Sequence, residues 1–328
     1  MARYHTNIDS FTRNTRRSKW HLENRRSEKG NNVFRSHYSH MLNEDIHIGL
    51  MPSTRNKAYQ IEVTPDSQLT QEVICFGLPN DYGEQNNVID AIEHFINYVG
   101  KIIGYYGEAN FEIIYFYGNE DQLPQRFKLE YIPKETIYRR GKSLIQKGYQ
   151  LEPRSHTKSK FKVKIPNEFV TTFSMPRILG GAKEYVRIIK MLSELSAVSI
   201  MPKFVQSERE NFLGPHYFNL SRYNSLLKAE VYNITRKLGW PAREYRDNLT
   251  TEYFSIHRYL KFELTKALLR QEIILSLNKT LERISTVITP KIQIAINGLP
   301  TSTEIATIIN ELSKGIIGFS EAIDKVKL

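Results

Sequence analysis

Cysteine is nearly missing from this chain: Cys75 stands alone among 328 residues. That excludes an internal disulfide framework and a cysteine-rich metal site, and it leaves Cys75 expected at an apolar core position. Long hydrophobic runs are missing too. With no stretch of about eighteen apolar residues, no membrane span is expected. The first residues are polar and arginine-rich with no apolar run behind them, so no secretory leader is expected. The Asn-x-Ser/Thr matches at Asn219, Asn233, Asn248 and Asn278 therefore carry little weight. A cell interior or a virus particle is the expected setting.

Catalytic signatures are also scarce. Gly141-Lys142-Ser143 lacks the upstream glycine of a phosphate-binding loop, because Thr136 stands there. Ile178-Leu-Gly-Gly-Ala-Lys-Glu184 has two glycines but no dinucleotide fingerprint. His94 and His257 have no histidine at zinc-binding spacing, and His37 and His40 sit in a polar stretch. No serine or cysteine has a nucleophile elbow around it. The sequence thus points to no enzyme, no catalytic residue, no metal and no cofactor. Glu304, Glu311, Glu321 and Asp324 are read as capping or solvated carboxylates.

What is present is charge of one sign and many aromatic rings. Lys and Arg number 46 against 35 Asp and Glu, a net charge of +11, which suits an acidic partner such as nucleic acid. Tyr (19) and Phe (16) are abundant enough for a sizeable core with half-buried or interface tyrosines. Residues 1–60 form a basic arm without steady periodicity, carrying Arg13, Arg16, Arg17, Lys19, Arg25 and Arg26. Such an arm suits a phosphate backbone, packing on a neighbouring subunit, or a solvated tail. A second basic stretch, 138–167, holds Arg139, Arg140, Lys142, Lys147, Arg154, Lys158, Lys160, Lys162 and Lys164, which suit contacts to phosphates or to protein partners. About half of it reads as loop, with a short alternating strand, Phe161–Ile165, ended by Pro166.

Periodicity predicts an α+β chain. Ala58–Ser67 and Gln71–Asn80 read as strands. Val88, Ile92, Phe95, Ile96, Val99 and Ile103 recur at helical spacing. Ala109–Gly118 and Arg126–Ile137 follow as strands, the latter stopped by Pro133, and Asn167–Pro176 as another. Ile188, Ile189, Leu192 and Leu195 mark one helix, and Leu227, Val231, Ile234 and Leu238 the next. From Ala242 to Thr289 there is neither Gly nor Pro, which predicts one helix of about thirty-five residues, roughly 50 Å long. The division expected is an arm (1–60), a mixed domain (61–240), a long helix (241–288) and a closing strand with terminal helices (289–328).

The closing stretch is the most explicit. Ile292, Ile294 and Ile296 alternate as a half-buried strand, and Asn297-Gly298 is a turn pair. Thr301 and Glu304 have capping-box spacing ahead of an apolar stripe of Ile305, Ile308, Ile309 and Leu312. Gly315 stops that helix, and Ser320 is placed to cap a last short one. The strand has no hairpin partner beside it, so its partner is expected from farther along the chain or from another subunit.

These motifs, in this order, resemble the portal proteins of tailed bacteriophages. Ile292–Asp324 is similar to the portal clip and the helix after it, and Thr250–Ile284 to the helical region leading into stem and clip. The helix and strands of 88–137 resemble the portal wing, with Gly107, Ala109, Glu112, Pro133 and Ile137 matching its characteristic phrase. Val170–Leu195 fits the approach to the next wing helix, so the resemblance covers roughly residues 85–324. It implies a homo-oligomeric ring of about twelve subunits with closed symmetry at one capsid vertex of a virion. Double-stranded DNA would pass through its channel. The major capsid protein, packaging ATPase and tail connector would be its partners, met first in the host cytoplasm during assembly. Ile292, Ile294, Ile296, Asn297 and Gly298 would form an intersubunit clip. The alternative is a basic nucleic-acid-binding or scaffold protein without ring closure.

Overall fold

The computed structural model describes residues 37–52, 59–79, 87–116, 125–141, 143–151, 158–196, 220–243, 251–288 and 290–326. The chain is α+β and falls into two compact units, each assembled from separated stretches. One combines Met51–Ser174 with Glu272–Gly298. The other combines the stretch ending at Leu50 with Met175–Gln271 and Leu299 onward. The expected division at 240/241 and 288/289 therefore does not coincide with the boundaries between the units.

In the first unit, β1 (Gln60–Thr64) precedes helices α2 (Gln68–Gly77) and α3 (Val88–Tyr106); α1 (His37–Ile48) belongs to the second unit. The Asn87 side chain accepts the Ile89 N–H and starts α3. One face of α3 buries Ile92, Phe95, Ile96, Val99 and Ile103, as the spacing predicts. This face lies against β2 (Glu108–Phe116), the middle of an antiparallel sheet between β3 (Arg126–Ile132) and β7 (Val170–Ser174). Phe95 meets Phe111 and Phe173 at ring-centroid distances of 5.8 and 5.5 Å, an arrangement that adds about 0.5–1.5 kcal/mol per pair beyond area burial.

Two expectations fail here. Gln68–Gly77 is a helix, not a strand: the Ser67 hydroxyl accepts the Thr70 N–H, and Thr70, Val73, Ile74 and Gly77 are buried at helical spacing. A cap and a packed face outweigh the β preference of Val73 and Ile74. At Gly77 a Cβ would stand 2.5 Å from the Phe127 ring, so glycine is what lets the helix approach β3. Cys75 on this helix is half-buried rather than a core residue, and partial burial pushes its thiol pKa up.

The stretch read as half loop is mostly strand. β4 (Ile137–Arg140), β5 (Ser143–Leu151) and β6 (Lys158–Pro166) pair antiparallel in that order, and Leu144, Gln146 and Ile165 are buried.

The second unit contains α1 (His37–Ile48), α4 (Gly181–Ser196), α5 (Leu220–Ile234) and the first part of α6 (Glu252–Ile284), a 33-residue helix continuing into the first unit from Glu272. Here α7 (Ser302–Ser313) and α8 (Phe319–Asp324) close a cluster in which Ile305, Ile308, Leu312 and Ala322 pack with Ile256, Leu260 and Ala267. The expected capping box is present: Glu304 N–H donates to the Thr301 hydroxyl, and Thr301 N–H donates to the Glu304 carboxylate. These bonds, led by the Thr301 N–H, hold the Glu304 carboxyl below its usual range. Ser320 is not the cap of the last helix; Gly318 holds that position, without a side-chain bond.

Candidate nucleic-acid interface and closing strand

The closing strand, β8 (Gln293–Asn297), forms where its alternation places it. Ile292 and Ile294 are buried, Ile296 is half-buried, and Asn297 and Gly298 are exposed. Gly298 has φ of 86°, the left-handed region that the Asn-Gly pair signals. The partner of β8 is β1 of the same chain, antiparallel, with Gln60 opposite Asn297 and Thr64 opposite Gln293. The other edge of β8 is engaged as well. Asn278 of α6 donates through Nδ2 to the Ile294 carbonyl (2.8 Å) and accepts the Ile294 N–H at Oδ1 (2.9 Å). One side-chain amide thus reproduces a strand's pair of hydrogen bonds. Of the two sources expected for a partner of the strand Ile292, Ile294 and Ile296 ahead of Asn297 and Gly298, it is the chain itself that supplies the ladder, and Asn278 adds an edge cover.

The β4–β5–β6 sheet has one buried face and one basic face, as antiparallel sheets commonly do. Residues directly opposite in neighbouring strands share a face. Register places Tyr138, Ile145 and Lys164 in one row, Lys147 with Lys162 in the next, and Arg140 opposite Ser143. In the same register Lys160 stands opposite Tyr149 and Lys158 opposite Leu151. β6 therefore carries a lysine at every second position from Lys158 to Lys164, about 6.8 Å apart along the strand. Arg140, Lys147, Lys162 and Lys164 are exposed. The Lys147 ammonium lies 4.5 Å from the centroid of the Tyr138 ring, which is 37% exposed. No Asp or Glu occurs in any of the three strands. Among the described residues none of Arg139, Arg140, Lys162 and Lys164 has an acidic partner.

Of the residues singled out in the sequence, Arg140, Lys158 and Lys160 fall on this parity. Arg139 is exposed but opposite Leu144, on the other parity. Lys142 and the arm residues Arg13, Arg16, Arg17, Lys19, Arg25 and Arg26 lie outside the described residues. Lys147, Lys162 and Lys164, which the sequence shows only as members of the basic stretch, share this parity, and Tyr138 joins them. The signal that finds three of them is the period-two lysine run Lys158-Ser-Lys-Phe-Lys-Val-Lys164 together with its register on Lys147.

Other polar clusters are structural. Arg258, half enclosed by the Tyr232 ring at 4.3 Å, donates to the Trp240 carbonyl (2.7 Å) and the Thr235 hydroxyl. Arg243 ties Glu44 and Asp45 (2.7 and 2.8 Å), and its hydrogen bond holds the Glu44 carboxyl below its usual range. Among the described residues no three of His, Cys, Asp and Glu gather as metal ligands, and no helix is long and apolar enough to cross a membrane.

No family model and no curated protein matches the chain.

Proposed function

We propose that this chain is a structural, non-catalytic subunit of a portal-like ring at a viral capsid vertex. In that role it surrounds the channel through which DNA is packaged and ejected, and it docks the packaging motor and tail connector. The observation that carries the reading is the succession at its end: the 33-residue helix α6, strand β8, the Gly298 turn, the boxed helix α7 and the short helix α8. The α3–β2–β3 unit upstream supports it as the counterpart of a wing. Ring contacts cannot draw on the outer edge of β8 at Ile294 while Asn278 occupies it. They fall instead to other surfaces, and the clip role of Ile292–Ile296 reduces to holding the turn at Gly298. Purified full-length chain viewed end-on by electron microscopy, and weighed in solution, should give closed rings near the dozen of the resemblance. A strict monomer under assembly conditions overturns the reading.

The second reading, a basic nucleic-acid-binding or scaffold protein without ring closure, is favoured by one observation. β8 finds its ladder in its own chain and its cover in Asn278, so nothing about this strand calls for a neighbour.

A further inference from the structure

We propose that the basic face of the β4–β5–β6 sheet is a sequence-blind track for a phosphodiester backbone, working within a single subunit. The inference does not depend on ring closure. Its foundation is the juxtaposition set by register. Lys158, Lys160, Lys162 and Lys164 follow one strand at every second residue, Lys147 flanks Lys162, and Arg140 stands across the sheet. Lys162 and Lys164, about 6.8 Å apart along β6, and Lys147 beside Lys162 make an exposed row of positive charge. A nucleic-acid strand carries one negative charge per ~3.4 Å of axis, so each lysine is within reach of about every second phosphate.

The composition of the face selects this occupant. Lysine is depleted from the cores of protein–protein interfaces, which use aromatic, Met and Arg anchors. A membrane-surface site needs exposed apolar anchors, yet Ile145, the apolar residue between Tyr138 and Lys164, is only 5% exposed. No acid interrupts the row. No Asn, Gln or Arg pair is arranged on this face for bidentate base reading, so the contacts are to backbone and carry no sequence information. Tyr138 lies beneath the Lys147 ammonium, which positions that cation and offers one ring edge to a base or sugar.

The test compares full-length chain with an Arg140→Ser/Lys147→Ser/Lys162→Ser/Lys164→Ser variant. A second variant removes as many charges from the arm: Arg13→Ser/Arg16→Ser/Arg17→Ser/Arg25→Ser. Probes are a labelled mixed-sequence DNA duplex, its separated single strand, and phosphatidylserine vesicles, titrated between about 50 and 200 mM salt. On duplex the sheet variant should lose about 3.6 from the slope of log K against log salt, and on single strand about 2.8. Over that salt range wild type should therefore weaken on duplex roughly 150-fold more than the sheet variant does. In wild type, Lys162 and Lys164 should also be protected by bound DNA from an acylating reagent read by mass spectrometry, a readout that needs no variant. Three results each overturn the track: an unchanged slope in the sheet variant with the loss confined to the arm variant, full acylation of Lys162 and Lys164 in the complex, or binding to vesicles without binding to DNA. Which nucleic acid loses more slope tells duplex from single strand as the source of the backbone. Sizing keeps this separate from the ring: rings with an unchanged slope overturn the track alone, and monomers with the slope loss overturn the ring alone.

Discussion

Arg270 gives its guanidinium to two main-chain carbonyls, Leu50 (3.2 Å) and Pro300 (2.7 Å), while being only 7% exposed. Burial lowers its pKa to about 10, and that of Arg258 likewise, so both remain cations at neutral pH. Each joins backbone segments far apart in sequence, which a planar five-donor group does better than a point charge. Arg270→Met should cost about 2 kcal/mol, because the buried Leu50 carbonyl and the part-buried Pro300 carbonyl lose their donors. Arg270→Lys should recover only part of that. The measurement is the denaturant midpoint at unchanged slope; a change within ~0.5 kcal/mol would show that water replaces the arginine at no cost. Nothing in the sequence marks these two arginines. They read as ordinary helical charges, and only the main-chain carbonyls they reach, of Trp240, Leu50 and Pro300, mark them as inward-facing.

Elements with a full hydrophobic period are legible in the amino-acid order alone. α3 follows from Ile92, Phe95, Ile96, Val99 and Ile103, and α7 from its capping box and stripe. Whatever a distant partner decides is illegible there. Val73 and Ile74 look like strand residues until Ser67 caps the turn and Phe127 meets Gly77. Lys147 looks like one more loop charge until β5 pairs with β6. Asn278 reads in sequence as an unremarkable Asn-x-Thr match, yet it covers the edge of β8. Asn278→Ala should remove both bonds at Ile294, destabilise the first unit by about 1–3 kcal/mol, and open that edge to another strand. The expected readouts are a lower denaturation midpoint and association that rises with protein concentration. If the variant stays as monodisperse and as stable as wild type, Asn278 is not an edge cover.

For the whole molecule, composition indicates the right class and little of the plan. An α+β chain with a basic surface follows from counts and periods, whereas two units built from interleaved stretches do not, since long-range register leaves no local trace. The function readings divide along the same line. The ring rests on the order of elements, and the phosphate track on the register of three strands. Neither rests on a pocket.

The pairing of β1 with β8 also sets a timetable. A ribosome releases Gln60–Thr64 long before Gln293–Asn297, so the ladder is completed only when synthesis is almost over. Until then the nascent chain carries a bare strand, and the closing segment works as a latch on a unit whose largest stretch, Met51–Ser174, is made much earlier. A chain stopped before Lys291 should therefore aggregate or be nicked by protease near β1, and one stopped just after Gly298 should protect that strand although it lacks α7 and α8. Equal cleavage near β1 in both truncations would show that the latch is not what secures the unit.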